Sequence, residues 1–285
     1  MIELPEAIVY SQQLNYVLSG KIIKEAIVGQ NPHRFAFMGS LSPDEMSEIL
    51  FAKSIVKCWA DGNLILIELH PDHILSLGCG GERILYHPNS KKIPKKHQLL
   101  LKFTDNSSLS VTVSGWGELR ILMKDELPNH PHIKSDQLDP LSQAFNYNRF
   151  ETLIEKLPSN KMISAKYFYI TDPGLKGIGN GVIQDIFYYA KIHPKRDMKT
   201  LSLEEKQELF HTTKSILTEM VKLGGRNTEI DIYGDAGGYI QKITKEVLDT
   251  SCSCGSLFVK KQYLGGSVYF CPSCQPLHRE IAPIS

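Results

Sequence analysis

A chain of 285 residues with 42% hydrophobic side chains can bury a sizeable core, and at roughly 100 to 200 residues per domain it points to two domains. Its net charge of +1 excludes a general basic surface, so any polyanion must be met by a local patch. Six cysteines are too few for a disulfide scaffold, no apolar run approaches the ~18 residues of a membrane span, and the opening MIELPEAIVYSQQ lacks the basic and apolar regions of a signal peptide, so a soluble cytoplasmic protein is expected.

The first element reads as a helix. Pro5 suits a first-turn position, Glu6 suits the positive helix end, and Ala7, Tyr10, Leu14, Val17 and Leu18 recur at three-to-four spacing before Gly20. Over residues 21–122 the pattern changes to short β-rich runs, at 64–69, 84–86, 99–103 and 109–113, divided by Asp-Gly, Pro-Asn and Asp-Asn turn signals. An antiparallel sandwich or barrel is expected there, with Cys58 and Cys79 as ordinary buried thiols. The polar stretch 127–140, rich in Pro and His, reads as a linker. Helical periodicity resumes at 150–157, 165–170 and 181–191. Ser202 and Glu205 then form a capping box for a helix that should run to about Leu223 and stop at Gly224-Gly225.

The tail reads Cys252-Ser253-Cys254, sixteen further residues, then Cys271-Pro272-Ser273-Cys274. A Cys-x-x-Cys turn brings two thiolates to one tetrahedral ion, and the intervening segment reads as a β-hairpin turning at Gly265-Gly266. One structural zinc ion bound by Cys252, Cys254, Cys271 and Cys274 is expected. The first pair is one residue shorter than the usual knuckle, so a looser site with one free cysteine is the alternative. The metal would supply much of the folding energy of so small an element. The fold class is therefore α+β: a helix and antiparallel β-sandwich over 1–126, a linker at 127–140, a helical domain at 141–250 and a zinc finger at 251–285.

Three stretches together resemble the formamidopyrimidine-DNA glycosylase and endonuclease VIII family. Glu3-Leu4-Pro5-Glu6 is similar to the family's N-terminal signature. The stretch from Gly177 through Asn180 and Lys191 to His193-Pro194 resembles its helix-two-turn-helix motif, and the cysteine hairpin ending Tyr269-Phe270-Cys271 resembles its zinc finger. The resemblance implies a monomeric two-domain clamp on double-stranded DNA that carries a damaged or extruded base. It also implies phosphate contacts from Lys166 and Asn180. A glycine-rich turn feeding a helix N-terminus presents backbone N–H groups to such an anion. Lys191, His193, Lys195 and Arg196 would extend the basic surface, and Lys260 and Lys261 would place charge on the finger, the alternative for each lysine being a solvated face.

The chain departs from that family where its chemistry resides. The proline that becomes the family's N-terminal nucleophile is replaced by Ile2, whose size should leave Met1 in place, so little or no proline-type Schiff base is expected. Glu3, matching the family's proton donor, and Glu6 are retained. Asn63 stands where the family has a lysine, Cys79 and the stretch 113–117 stand where it inserts residues into the helix, and its finger arginine is lost within Gly265-Gly266-Ser267-Val268. Trp116 reads either as an aromatic wedge or as a core residue. Residues 227–239, rich in acidic and aromatic groups, match the loop that encloses an extruded base. Three function classes follow. One is a DNA N-glycosylase in which Glu3 activates water, or protonates the sugar while the Met1 amine attacks. The others are a non-catalytic binder of lesions or distorted DNA, and a protein-contact scaffold.

Overall fold

The structure is a computed structural model, and it describes residues 1–31, 36–37, 39–89 and 93–278. The chain divides into two compact units, one comprising Met1–Ser135 with Met220–Ile240, the other Asp136–Glu219 with Gln241–Ser285.

The first unit opens with α1 (Leu4–Leu18), whose buried face includes Ala7, Tyr10, Leu14 and Leu18. Two sheets follow. One has the order β1 (Ile23–Val28), β7 (Leu99–Phe103), β8 (Ser108–Val113), β6 (Glu82–His87). The other has the order β2 (Ala36–Phe37), β9 (Gly117–Met123), β5 (His73–Gly78), β4 (Leu64–His70), β3 (Ser54–Asp61). Pairing is antiparallel except for the short β2 against β9. A helix α2 (Pro43–Leu50), with Ser42 as N-cap and Glu45 closing its capping box, packs on β1.

The run at 64–69 is apolar except for Glu68, which pairs with Lys124, because β4 is covered on both faces. Ile65, Ile67 and Leu69 enter the main core with α1, while Leu64 and Leu66 join Ile74 and Leu122 in a second cluster. Leu127 and Ile133 pack on that second cluster, so the first part of the segment expected as a linker is ordered covering structure. Lys124–Asn129 forms a 3₁₀ turn, and His130 is buried.

The second unit holds α3 (Tyr147–Glu155), α4 (Ala165–Ile170) and α5 (Val182–Tyr189). Phe145, Phe150, Phe168 and Phe210 pack ring against ring beside them. The helix α6 (Leu203–Lys222) begins at the Ser202 and Glu205 capping box and ends before Gly224 and Gly225, both at positive φ. The hairpin of β10 (Val259–Tyr263) and β11 (Gly266–Phe270) closes the described chain. Its two-residue turn is Leu264-Gly265, both at positive φ as this turn type requires, so it lies one residue before the expected glycine pair.

One boundary differs from the sequence reading. Residues 220–240, expected inside the helical domain, belong to the first unit. Ile232 lies fully buried in the sandwich core, and its carbonyl accepts from the Tyr86 N–H at 2.8 Å. The pattern of this short segment is irregular, and only its partners reveal where it belongs.

Candidate functional site

The N-terminus is held rigidly. Ile2 is 1% exposed in the core, and its N–H donates to the Gly80 carbonyl at 2.7 Å. The Glu3 N–H donates to Glu6 Oε2 at 3.2 Å. Arg226, 2% exposed, fills the remaining capacity of Glu6, with its backbone N–H at 3.1 Å and Nε at 2.9 Å from Oε1 and Nη2 at 2.7 Å from Oε2. Its Nη2 also donates to the Met1 carbonyl at 3.0 Å, and its Nη1 lies 3.6 Å from Glu3 Oε1. One arginine thus pairs with two buried carboxylates and orders the first residues of the chain. Such a charge is tolerable in a core only because it is paired and multiply hydrogen-bonded.

The Met1 α-amine points elsewhere. It lies 2.5 Å from Glu229 Oε2 and faces a polar cavity of about 640 Å³ whose wall includes Glu82, Arg83, Trp116, Thr228 and Glu229. Trp116 is 59% exposed, so it is not a core tryptophan. The loop carrying it is fixed by Gly80 and Gly81. The Gly81 N–H donates to the Trp116 carbonyl, and a Cβ on Gly80 or Gly81 would fall 2.2 Å from the Trp116 carbonyl or 1.9 Å from the Ser114 carbonyl.

Two buried carboxylates near this loop have divergent environments. Burial pushes the Glu82 carboxyl up to about 7, although it accepts from Gly80 and Glu118 N–H groups at 3.0 and 2.6 Å. Burial acts in the same sense on Glu118, but hydrogen bonds from His130, His132 and Arg120 outweigh it and hold that carboxyl at about 2. Beside them a smaller cavity of about 380 Å³ is lined by Asn63, Cys79, Trp116 and His132. Cys79 is half-buried at φ 68°, and its N–H donates to the Asn63 carbonyl. Burial raises its thiol far above the ordinary range, as it does to about 12 for the buried Cys58, so neither is a reactive nucleophile.

In the second unit several residues expected to face phosphates have other partners. Lys166 is 1% exposed, and its ammonium donates to the Tyr263 carbonyl at 2.6 Å. The Asn180 amide donates to the Ser267 carbonyl at 3.0 Å, while the Gln184 side chain donates to the same carbonyl and accepts from the Tyr269 N–H. All three tie the β10–β11 hairpin to the helical layer. Arg196 is buried, donating to the Thr200 carbonyl at 2.9 Å and reaching Glu205 at 3.4 Å. His193 packs edge-on to Phe270, and burial pushes its imidazole down to about 4, so it carries no charge at neutral pH. The charge available for a phosphate surface is narrower than the sequence suggested. Lys191, Lys260 and Lys261 are exposed, and Lys195 lies over the Tyr263 ring at 4.8 Å.

Cys252, Cys254, Cys271 and Cys274 place their four sulfurs within 4.8 Å of one another, despite the short first spacing. Two of the separations are 3.7 and 3.4 Å. A tetrahedral zinc with ~2.3 Å bonds has sulfur–sulfur edges of ~3.8 Å, so the donor set fits one such ion. Gly255, at φ 88°, closes the turn after the first pair by donating its N–H back to the Cys252 carbonyl.

A family model described as the formamidopyrimidine-DNA glycosylase N-terminal domain matches residues 1–114. The formamidopyrimidine-DNA glycosylase of Listeria monocytogenes is 30% identical over 281 residues, which cover 96% of this chain and 100% of that protein. The chain belongs to the formamidopyrimidine-DNA glycosylase family. The enzyme of that name from Rickettsia bellii is 26% identical over 281 residues, covering 96% of this chain and 99% of its own. Among solved structures, the Lactococcus lactis protein in complex with DNA containing an abasic site superposes with a TM-score of 0.81 at 21% identity, covering 96% of this chain and 99% of that one. MutM in complex with DNA containing carbocyclic 8-oxo-G gives 0.82 at 22% identity. The α+β fold with a C-terminal cysteine cluster is that of the family, and among the described residues no helix is long and apolar enough to cross a membrane.

Within this member of the glycosylase family, the structure brings Met1 and Trp116 to one cavity and sets Glu3 and Glu6 beside Arg226. Arg226 and Glu82 were not legible as site residues in the sequence, and Glu229 was legible only as one acidic residue of the 227–239 loop. The partners that give Arg226 and Glu229 their roles lie at the other end of the chain, where no local pattern marks them.

Proposed function

We propose that this chain is a base-excision DNA N-glycosylase that acts on double-stranded DNA carrying a damaged or extruded base. Its sandwich unit would hold the reacting nucleotide, and its helical and finger regions, 141–250 and 251–285, would engage the duplex as a monomer. The observation that carries this reading is the N-terminal arrangement: the Met1 α-amine, paired with Glu229, on a polar 640 Å³ cavity rimmed by an exposed tryptophan, with the buried Glu3 beside Arg226. Glu3 acts on the glycosidic bond as base to water or as acid to the sugar. The nitrogen of residue 2 is an amide already donating to Gly80, so it supplies no amine and proline-type lyase chemistry is weak or absent. The metal of the four-cysteine site is one structural zinc ion, which holds the finger hairpin and takes no part in the reaction.

Glu3→Gln tests this directly. Removal of a general acid-base group costs ~10² to 10⁴-fold in rate. Release of free base from a panel of lesion-bearing duplexes should fall by at least ~10²-fold, with duplex affinity nearly intact. A second reading, non-catalytic lesion binding, is favoured by the 3% exposure of Glu3 and its ion pair with Arg226. Tight binding with no base released from any duplex, and no effect of Glu3→Gln, would establish it instead.

A further inference from the structure

We propose that Glu229 is the acid–base partner of the Met1 α-amine, and that the pair condenses with the aldehyde exposed at C1′ when a base has been removed. This deepens the glycosylase reading and rests on it for the identity of the aldehyde. The family resemblance places Glu229 in the loop matched to enclosing an extruded base and assigns it no proton-transfer role.

Three observations meet at this residue. The carboxylate is 2.5 Å from the amine nitrogen, and the two form an ion pair on the wall of the 640 Å³ cavity. Met1 and Glu229 both line the cavity, and the Glu229 side chain is only 25% exposed, so its carboxylate is held largely out of bulk solvent beside the amine. The segment bearing Glu229 is fastened at each following residue. The Tyr10 hydroxyl donates to the Ile230 carbonyl, the Gln13 amide donates to Asp231 Oδ2 at 2.8 Å, and Ile232 is fully buried in the core. On the other flank Arg226 anchors the loop to Glu6 and to the Met1 carbonyl. Amine and carboxylate are thus positioned by one anchored network, in which Arg226 ties the loop bearing Glu229 to the Met1 carbonyl. Such preorganisation converts proximity into rate.

The chemistry balances without a further reactant. The ammonium of Met1 passes a proton to the Glu229 carboxylate, and the neutral amine adds to the C1′ aldehyde, forming a C–N bond while one N–H proton moves to the oxygen. The carbinolamine hydroxyl then leaves as water with the proton held by Glu229. An iminium remains opposite the regenerated carboxylate. The sum is ammonium plus aldehyde giving iminium plus water. Ile2, immobile in the core, holds the backbone against which the amine moves.

The test uses the full chain with its intact mass verified, a duplex containing a natural abasic site, and borohydride to reduce the imine. The wild-type protein should give a covalent adduct that peptide mass spectrometry maps to the Met1 nitrogen. Glu229→Gln should slow adduct formation by ~10²-fold, and Glu229→Asp should restore part of the rate. Affinity for a duplex with a tetrahydrofuran abasic analogue, which has no aldehyde, reports that each variant is folded. Absence of a wild-type adduct, an adduct on a lysine, or equal rates for wild type and Glu229→Gln would each overturn the inference. Base release measured separately keeps the two claims distinct. A protein that forms the Met1 adduct but frees no base refutes the glycosylase reading and leaves the amine–carboxylate pair standing.

Discussion

At the scale of single residues, Arg226 serves two buried carboxylates and a main-chain carbonyl at once. Breaking a buried pair from one side leaves its partner charged and unpaired, at a cost of ~3 to 5 kcal/mol. Arg226→Met should therefore lower the denaturation midpoint sharply, whereas Arg226→Met combined with Glu6→Gln should recover much of the loss; a midpoint unchanged in the single variant would show the pair to be solvated. Glu82 supplies a pH signature. Its folded carboxyl, at about 7, lies above the ordinary 4.5, so the folded state holds the proton more tightly. That contribution to stability is complete below pH 4.5 and disappears as pH rises through 7, a change of ~3 kcal/mol at most. Urea midpoints of wild type and Glu82→Gln between pH 4.5 and 7.5 should diverge in slope, with the variant flatter. The absolute stability of the variant is less informative, because a glutamine must turn an N–H₂ toward one of two backbone donors.

At the scale of elements, the finger hairpin is bolted to α4 and α5 through its own carbonyls. Lys166 grips Tyr263, and Asn180 and Gln184 share Ser267. From sequence, replacing Lys166 or Asn180 should weaken DNA binding without disturbing the fold. The observed burial changes that expectation. Burial lowers the Lys166 ammonium, and its loss removes the charge-assisted bond to the Tyr263 carbonyl, worth ~1.5 to 3 kcal/mol. Lys166→Ala and Asn180→Ala should make the hairpin at 259–270 a preferred site of limited proteolysis, before any DNA is added. Cleavage patterns identical to wild type would return both residues to a purely phosphate-binding role. The hairpin itself is short and has few buried side chains of its own, Val268 and Phe270 among them, so these bonds and the cysteine cluster carry much of its stability.

At the scale of the whole molecule, a net charge of +1 means that binding to a duplex depends on a few exposed lysines, not on overall charge. Affinity should fall steeply with salt, as for several phosphate contacts. Chelation of the metal should abolish duplex binding while the cooperative unfolding of the sandwich unit persists, because the four cysteines belong to the second unit and the sandwich has its own core. Metal analysis beside a binding titration checks both. A metal-free protein with undiminished affinity would remove the finger from the binding surface.

Much of this architecture was legible in the residues themselves. The apolar spacing of α1, the alternation and turn signals of the sandwich, the Ser202 capping box and the cysteine pairs are local patterns, and local patterns specify elements because each repeats the geometry of its own backbone. Retention of Glu3 and loss of the position-2 proline were equally readable, since both sit in a contiguous signature. The remainder was not. Trp116 is exposed, not core, because two glycines let the chain pass beneath its loop. Lys166, Asn180, His193 and Arg196 are basic or polar by composition but spend those groups on carbonyls, carboxylates and rings more than 60 residues away or across a turn. Glu229 meets the Met1 amine from the far end of the chain. Sequence determined which residues form helices, strands and a metal hairpin; tertiary structure alone decided which charges are consumed internally and which face the cavity, because a charge has no periodicity and its partner is chosen by packing.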